Sequence, residues 1–141
     1  MTMQPMNDLV LFAKALADPT RVRILAALRL SVLCVCELCD ALEMSQSSLS
    51  THLQVIKQAG LVTARKDGKW VYYGLEPSHA PLVETLFSRY ADGLRADQRL
   101  RRDADGVERR LSLRENGCCT LGFNQLDAPP QDRKLYERLR Q

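Results

Sequence analysis

Apolar side chains recur at helical spacing over residues 7 to 17, where Leu9, Phe12, Ala13, Leu16 and Ala17 share one stripe behind Asn7, a residue suited to an N-cap. Asp18-Pro19 then has the form of a cap followed by proline at the first helical position, and it opens a second helix through Val22, Ile24, Leu25 and Leu28. A short helix is predicted from Val35 to Ala41, a turn at Glu43-Met44, and a longer helix from Ser45 that Gly60 ends. On that longer helix Leu49, Leu53 and Ile56 cluster within about 60°, while Ser47, Ser50, Thr51, Gln54 and Gln58 take the opposite side. Two helices with a tight connection and one polar face outline a helix-turn-helix.

The period then changes to that of strands. Leu61 to Lys66 and Lys69 to Leu75 are β-rich runs around Asp67-Gly68, a pair that favours a type I′ hairpin turn, in a register that sets Ala64 against Val71 and Val62 against Tyr73. Arg65, Lys66 and Lys69 gather near the tip, so the hairpin reads as a basic wing. Beyond Pro77, Leu82, Val83, Leu86, Phe87, Tyr90 and Leu94 form another amphipathic helix, and Leu100, Ala104, Val107 and Leu111 extend the pattern through charged sequence. Gly93 and Gly106 argue against one continuous helix there. The expected fold is mainly α with a β-hairpin wing, a dimeric winged helix-turn-helix. Residues 1–94 form the DNA-binding and dimerisation unit, 95–117 a charged helical extension, and 118–141 a tail with a cysteine pair and a short polar helix from Gln131.

Composition adds constraints. At 141 residues the chain suits one compact unit with extra arms, and 20 Lys+Arg against 17 Asp+Glu leave only +3, so any DNA surface is a local patch. No run approaches the roughly 20 apolar residues of a membrane span, and the first residues lack the pattern of a signal peptide, so no membrane partner and a cytoplasmic location are expected.

The candidate chemistry is sulfur. The cysteines fall in two groups, Cys34/Cys36/Cys39 and Cys118/Cys119, a pattern that favours thiolate chemistry over a disulfide scaffold. Soft ions such as trivalent arsenic and antimony seek thiolate sulfur, whereas a tetrahedral zinc site would need a fourth ligand from elsewhere. On a regular helix Cys36 and Cys39 lie about 60° apart, but Cys34 lies about 140° from Cys39 and about 160° from Cys36. Three sulfurs converge only if Cys34 comes from a non-helical lead-in or the first turn unwinds. A helix N-terminus is expected to lower the thiol pKa, with Glu37 partly opposing it. Cys118 and Cys119 form a candidate second site, since a vicinal dithiol suits an ion with two replaceable ligands.

Gln46, Ser47, Ser50, Thr51 and Gln54 are the candidate base-reading residues, with Arg65, Lys66 and Lys69 for phosphate or minor-groove contacts. His52 is expected to make a structural hydrogen bond, and Trp70 and Tyr72 to pack on one hairpin face.

Cys34-Val35-Cys36-Glu37-Leu38-Cys39, the run from Ser45 to Leu53, and Gly68-Lys69-Trp70-Val71-Tyr72-Tyr73 together resemble the ArsR/SmtB family, in particular its arsenical-resistance repressors, over roughly residues 6 to 94. The resemblance implies a homodimer joined through its first and last long helices that leaves double-stranded operator DNA when arsenite or antimonite binds. It also implies that the family's Cys-Val-Cys-x-Leu-Cys motif is Cys34 to Cys39. The first 33 residues contain no cysteine, unlike the family's cadmium and lead sensors, and the chain has only His52 and His79, which weakens a zinc-sensor reading. Two other readings of the thiols stay open: a redox-sensing repressor, and a methylarsenite sensor using Cys118 and Cys119. Cys36 and Cys39 also form the Cys-x-x-Cys spacing of thiol oxidoreductases, but the required βαβ context is missing. No phosphate loop, His-Glu metal motif or nucleophile elbow occurs, so no enzyme, catalytic residue or catalytic cofactor is expected.

Overall fold

A computed structural model describes residues 5–117, 119, 120 and 122. Helix α1, Pro5–Leu16, begins before Asn7, which lies inside it rather than capping it. Helix α2, Pro19–Leu30, starts as the sequence predicts: the Asp18 carboxylate accepts from the N–H groups of Thr20 at 2.8 Å and Arg21 at 3.3 Å, and proline occupies the position where no amide is needed. Asp18→Ala should lower the unfolding free energy by about 1 kcal/mol, read from urea titration. An unchanged midpoint would mean that the Arg21 guanidinium, which donates to the carbonyls of Lys14 and Ala15, holds this corner without the cap.

The middle of the chain is α3, Val35–Leu42, a turn with Glu43 in the left-handed region at φ 54°, and α4, Gln46–Gln58, where the Ser45 hydroxyl accepts from Ser48 N–H. Leu49, Leu53 and Ile56 of α4 are buried with Ile24, Leu25, Leu38 and Leu42 in one apolar core. The hairpin pairs β2, Val62–Asp67, with β3, Trp70–Leu75. Its register differs from the expected one: Ala64 faces Tyr73, Val62 faces Leu75 and Asp67 faces Trp70, so the two turn residues are Gly68 and Lys69. Gly68 has φ 60° and Lys69 is outside the positive-φ region, which matches a glycine-first turn of type II′ rather than I′. Because the slip is two residues, every side chain keeps its face.

Two features are absent from the periodicity. A two-residue strand β1, Leu33–Cys34, adds to the other side of β3 to give the antiparallel order β1-β3-β2, with Cys34 opposite Tyr72. The amphipathic run after Pro77 breaks at Tyr90 into α5, Ala80–Arg89, and α6, Ala91–Ala96; then α7, Gln98–Ser112, opens with the Asp97 carboxylate accepting from Leu100 N–H at 3.1 Å. Helix α7 runs unbroken through Gly106 and packs on α2 and α3, with Val107 buried in the core. No helix among the described residues is long and apolar enough to cross a membrane.

Candidate metal centre and nucleic-acid interface

Cys34 is the N-cap of α3, in extended conformation at φ −79° and ψ 165°, so its side chain is free of the helical spacing that would hold it away from Cys36. The two sulfurs lie 2.8 Å apart, fully enclosed. The Cys119 sulfur is 3.4 Å from that of Cys36, and the sulfurs of Cys34, Cys36 and Cys119 all lie within 4.8 Å of one another. An ion bonding sulfur at about 2.3 Å, the zinc–thiolate length, spans sulfurs up to about twice that distance, so the three already stand almost within reach of one soft centre. The donor set is all sulfur, the chemistry that thiophilic ions select. No disulfide joins Cys34, Cys36, Cys39 and Cys119.

The structure divides the cysteine run differently from the motif. Cys39 is buried in the main apolar core with Leu38 and Leu42, and it is not among the three grouped sulfurs. Cys34, Cys36 and Cys119 form a separate buried cluster with Tyr72, against which Trp70 packs. The two hairpin aromatics therefore do pack on one face. Cys118 lies outside the described residues, as does the helix expected from Gln131.

Charged groups enclose this cluster. The Arg110 guanidinium, 2% exposed, donates to Asp40 at 2.9 Å, to the Cys119 sulfur at 3.3 Å and to the Cys36 sulfur at 3.6 Å. The Glu37 carboxylate, equally enclosed, accepts from Cys34 N–H at 2.9 Å and takes both arms of Arg114 at 2.8 Å. Arg114 also donates to the Val32 carbonyl at 2.7 Å, and Cys119 N–H donates to the Tyr72 hydroxyl at 2.9 Å. The expected lowering of the thiols at the helix start does not hold for Cys34 and Cys36. Hydrogen bonding to Cys119, with burial, pushes both up, whereas hydrogen bonds from Cys34 and Cys36, helped by Arg110, hold Cys119 well below the ordinary thiol range. Burial, then Asp40, pushes Cys39 up to about 11.

Gln46, Ser47, Ser50, Thr51 and Gln54 all lie exposed on α4, opposite its packed stripe. The Thr51 hydroxyl donates to the Ser47 carbonyl at 3.0 Å, and the Ser45 and Ser47 hydroxyls pair at 3.2 Å. His52 Nδ1 is 3.2 Å from the Arg21 guanidinium, in keeping with a structural hydrogen bond. Arg65, Lys66 and Lys69 are exposed on the wing, with Arg65 over the Tyr72 ring and Lys69 over the Trp70 ring, each 5.3 Å from the centroid. Sequence reasoning missed Arg110, Arg114 and Tyr72 at the sulfur cluster, since nothing local ties residues so far apart in the chain. The mid-helix glycine, Gly106, was the one readable signal of close packing.

The family model for bacterial regulatory proteins of the arsR family matches residues 18–64. The arsenical resistance operon repressor of Escherichia coli is 51% identical over 69 residues, covering 48% of this chain and 58% of that protein. The chain thus spans a little over half the length of that relative. The arsenic resistance transcriptional regulator ArsR2 of Pseudomonas putida is 38% identical over 113 residues, covering 75% of this chain and 93% of its own. Among solved structures, HlyU from Vibrio cholerae superimposes with a TM-score of 0.57 at 35% identity over 64% of this chain and 99% of that one. The homodimeric winged helix-turn-helix domain Mb0332 from Mycobacterium bovis gives 0.57 at 28% identity over 65% and 91%. The helix-turn-helix, its hairpin and these matches agree: the chain belongs to the arsR family of bacterial regulatory proteins.

Proposed function

We infer that this chain is a transcriptional repressor that holds operator DNA as a homodimer and releases it when trivalent arsenic or antimony is captured by the thiols at the head of α3, Cys34 and Cys36 with a third sulfur. The observation that carries this reading is the buried pair of sulfurs 2.8 Å apart at the head of α3, the helix that leads into α4. Each bond to sulfur replaces one As–OH bond, and the thiol proton leaves with the hydroxide as water. Because Cys34 is a cap residue and Cys36 belongs to the first turn, drawing their sulfurs onto one centre re-sets the start of α3. The short turn at Glu43 and Met44, where Met44 N–H donates to the Cys39 carbonyl at 3.0 Å, carries that displacement to α4. The exposed polar face of α4 would read base edges, and the wing cations would hold phosphates. Met6, Leu9 and Val10 leave an apolar face open on α1, which suits the homodimer.

The test is fluorescence anisotropy of a duplex selected by the chain from a random pool, titrated with arsenite and antimonite under full reductant. Release should reflect a coupling worth about 5- to 150-fold in affinity. Cys34→Ser and Cys36→Ser should each abolish release, scored against that variant's own affinity. Release by peroxide but not by arsenite would replace this reading with the redox-sensing one.

A further inference from the structure

Trivalent arsenic needs three donors, and among the described residues two thiols compete to be the third. Resting on the function inferred above, we propose that the third donor is Cys119 rather than Cys39, so that the inducer site is split between the DNA-reading unit and the C-terminal extension, with Gly106 as the positioning residue that seats one on the other.

Cys39 is turned into the apolar core, and recruiting it would take a sulfur out of packed surroundings. Cys119 already stands 3.4 Å from Cys36. Its approach is built in stages. Arg114 grips Glu37 and the Val32 carbonyl, which ties the chain just after α7 to the lead-in that carries Cys34. Tyr72 then receives the Cys119 amide. Behind both, α7 is keyed to its neighbours by Arg23 with Asp103, Arg102 with Glu43, and Arg110 with Asp40.

Gly106 explains why α7 lies so close. A glycine inside a helix costs roughly 1 kcal/mol relative to alanine, so it needs a reason. A Cβ on Gly106 would stand 2.7 Å from the Ala41 carbonyl oxygen and 2.9 Å from its Cα, distances that backbone does not yield. Only glycine allows α7 to rest on the α3 backbone at this point. The split site also reaches the wing: Cys34 is paired with Tyr72 across β1 and β3, and the Tyr72 ring carries Arg65 on its face. Closing sulfur around one ion therefore loads the wing and α3, the helix that leads into α4, together, and so reaches both parts of the proposed DNA contact.

The experiment compares the full chain with Cys39→Ser, Cys118→Ser, Cys119→Ser and Gly106→Val, reading arsenite-driven DNA release and the number of sulfurs bound to arsenic by X-ray absorption. Cys39→Ser and Cys118→Ser should release like the native chain with three sulfurs. Cys119→Ser should lose release and fall to two. Gly106→Val should need about 10- to 100-fold more arsenite, the usual penalty for losing the support of a ligand. Loss of the third sulfur in Cys39→Ser or Cys118→Ser, with Cys119→Ser unaffected, overturns the proposal, as does a native response in Gly106→Val. The cysteine variants decide the matter even where the valine variant fails to fold. If the native chain itself ignores arsenite, the functional reading has failed instead.

Discussion

Replacing Arg110 with methionine is expected to lower the unfolding free energy by about 3 kcal/mol, a large share of the roughly 5–15 kcal/mol that holds a domain of this size folded. The side chains of Arg110 and Asp40 are 1% and 9% exposed, so removing the guanidinium leaves a nearly enclosed carboxylate without its cation. The penalty comes from that stranded charge more than from the lost attraction, because both charges were desolvated on folding. The double variant Asp40→Leu/Arg110→Met should therefore recover most of the loss, since an apolar pair of similar volume carries no desolvation cost. Urea unfolding of the two singles and the double measures this. A double variant as unstable as Arg110→Met would show that the guanidinium acts through its shape and its sulfur contacts instead.

The second large effect concerns DNA. Converting Arg65, Lys66 and Lys69 to alanine removes six wing cations from the proposed homodimer. Where each neutralises one phosphate, the slope of log affinity against log salt should become shallower by about 5. The native complex should weaken about 10³-fold more than the variant between about 50 and 200 mM salt. Folding should change little, since all three side chains are exposed and only two rest on aromatic rings. Gln54→Ala offers the contrast: a lost base-edge contact should relax sequence preference by about 1–3 kcal/mol and leave the salt slope alone. An unchanged slope in the wing variant would place the phosphate contacts elsewhere.

Most of the helix-turn-helix is readable in the chain, because each piece carries its own punctuation. Asp18-Pro19, Ser45 and Gly60 bound their helices through contacts a few residues long. The hairpin is readable too, but not its turn: Asp67-Gly68 and Gly68-Lys69 are both acceptable locally, and pairing along the whole ladder chooses between them. The strand Leu33–Cys34 is too short to produce a period and exists only because β3 offers it an edge.

The sulfur centre divides along the same line. The sequence by itself pointed to soft-ion chemistry at the clustered thiols, and it required that Cys34 come from a non-helical lead-in or that the first turn unwind for three sulfurs to meet, because these follow from residue type and from 100° of rotation per residue. Only the tertiary structure decided that Cys39 faces the core while Cys119 meets Cys36, since two sulfurs 83 positions apart in the chain leave no periodic signal of the meeting. That choice depends on where α7 docks. Its docking depends in turn on a backbone contact at Gly106 and on ion pairs between distant segments, which exist only once the chain has folded.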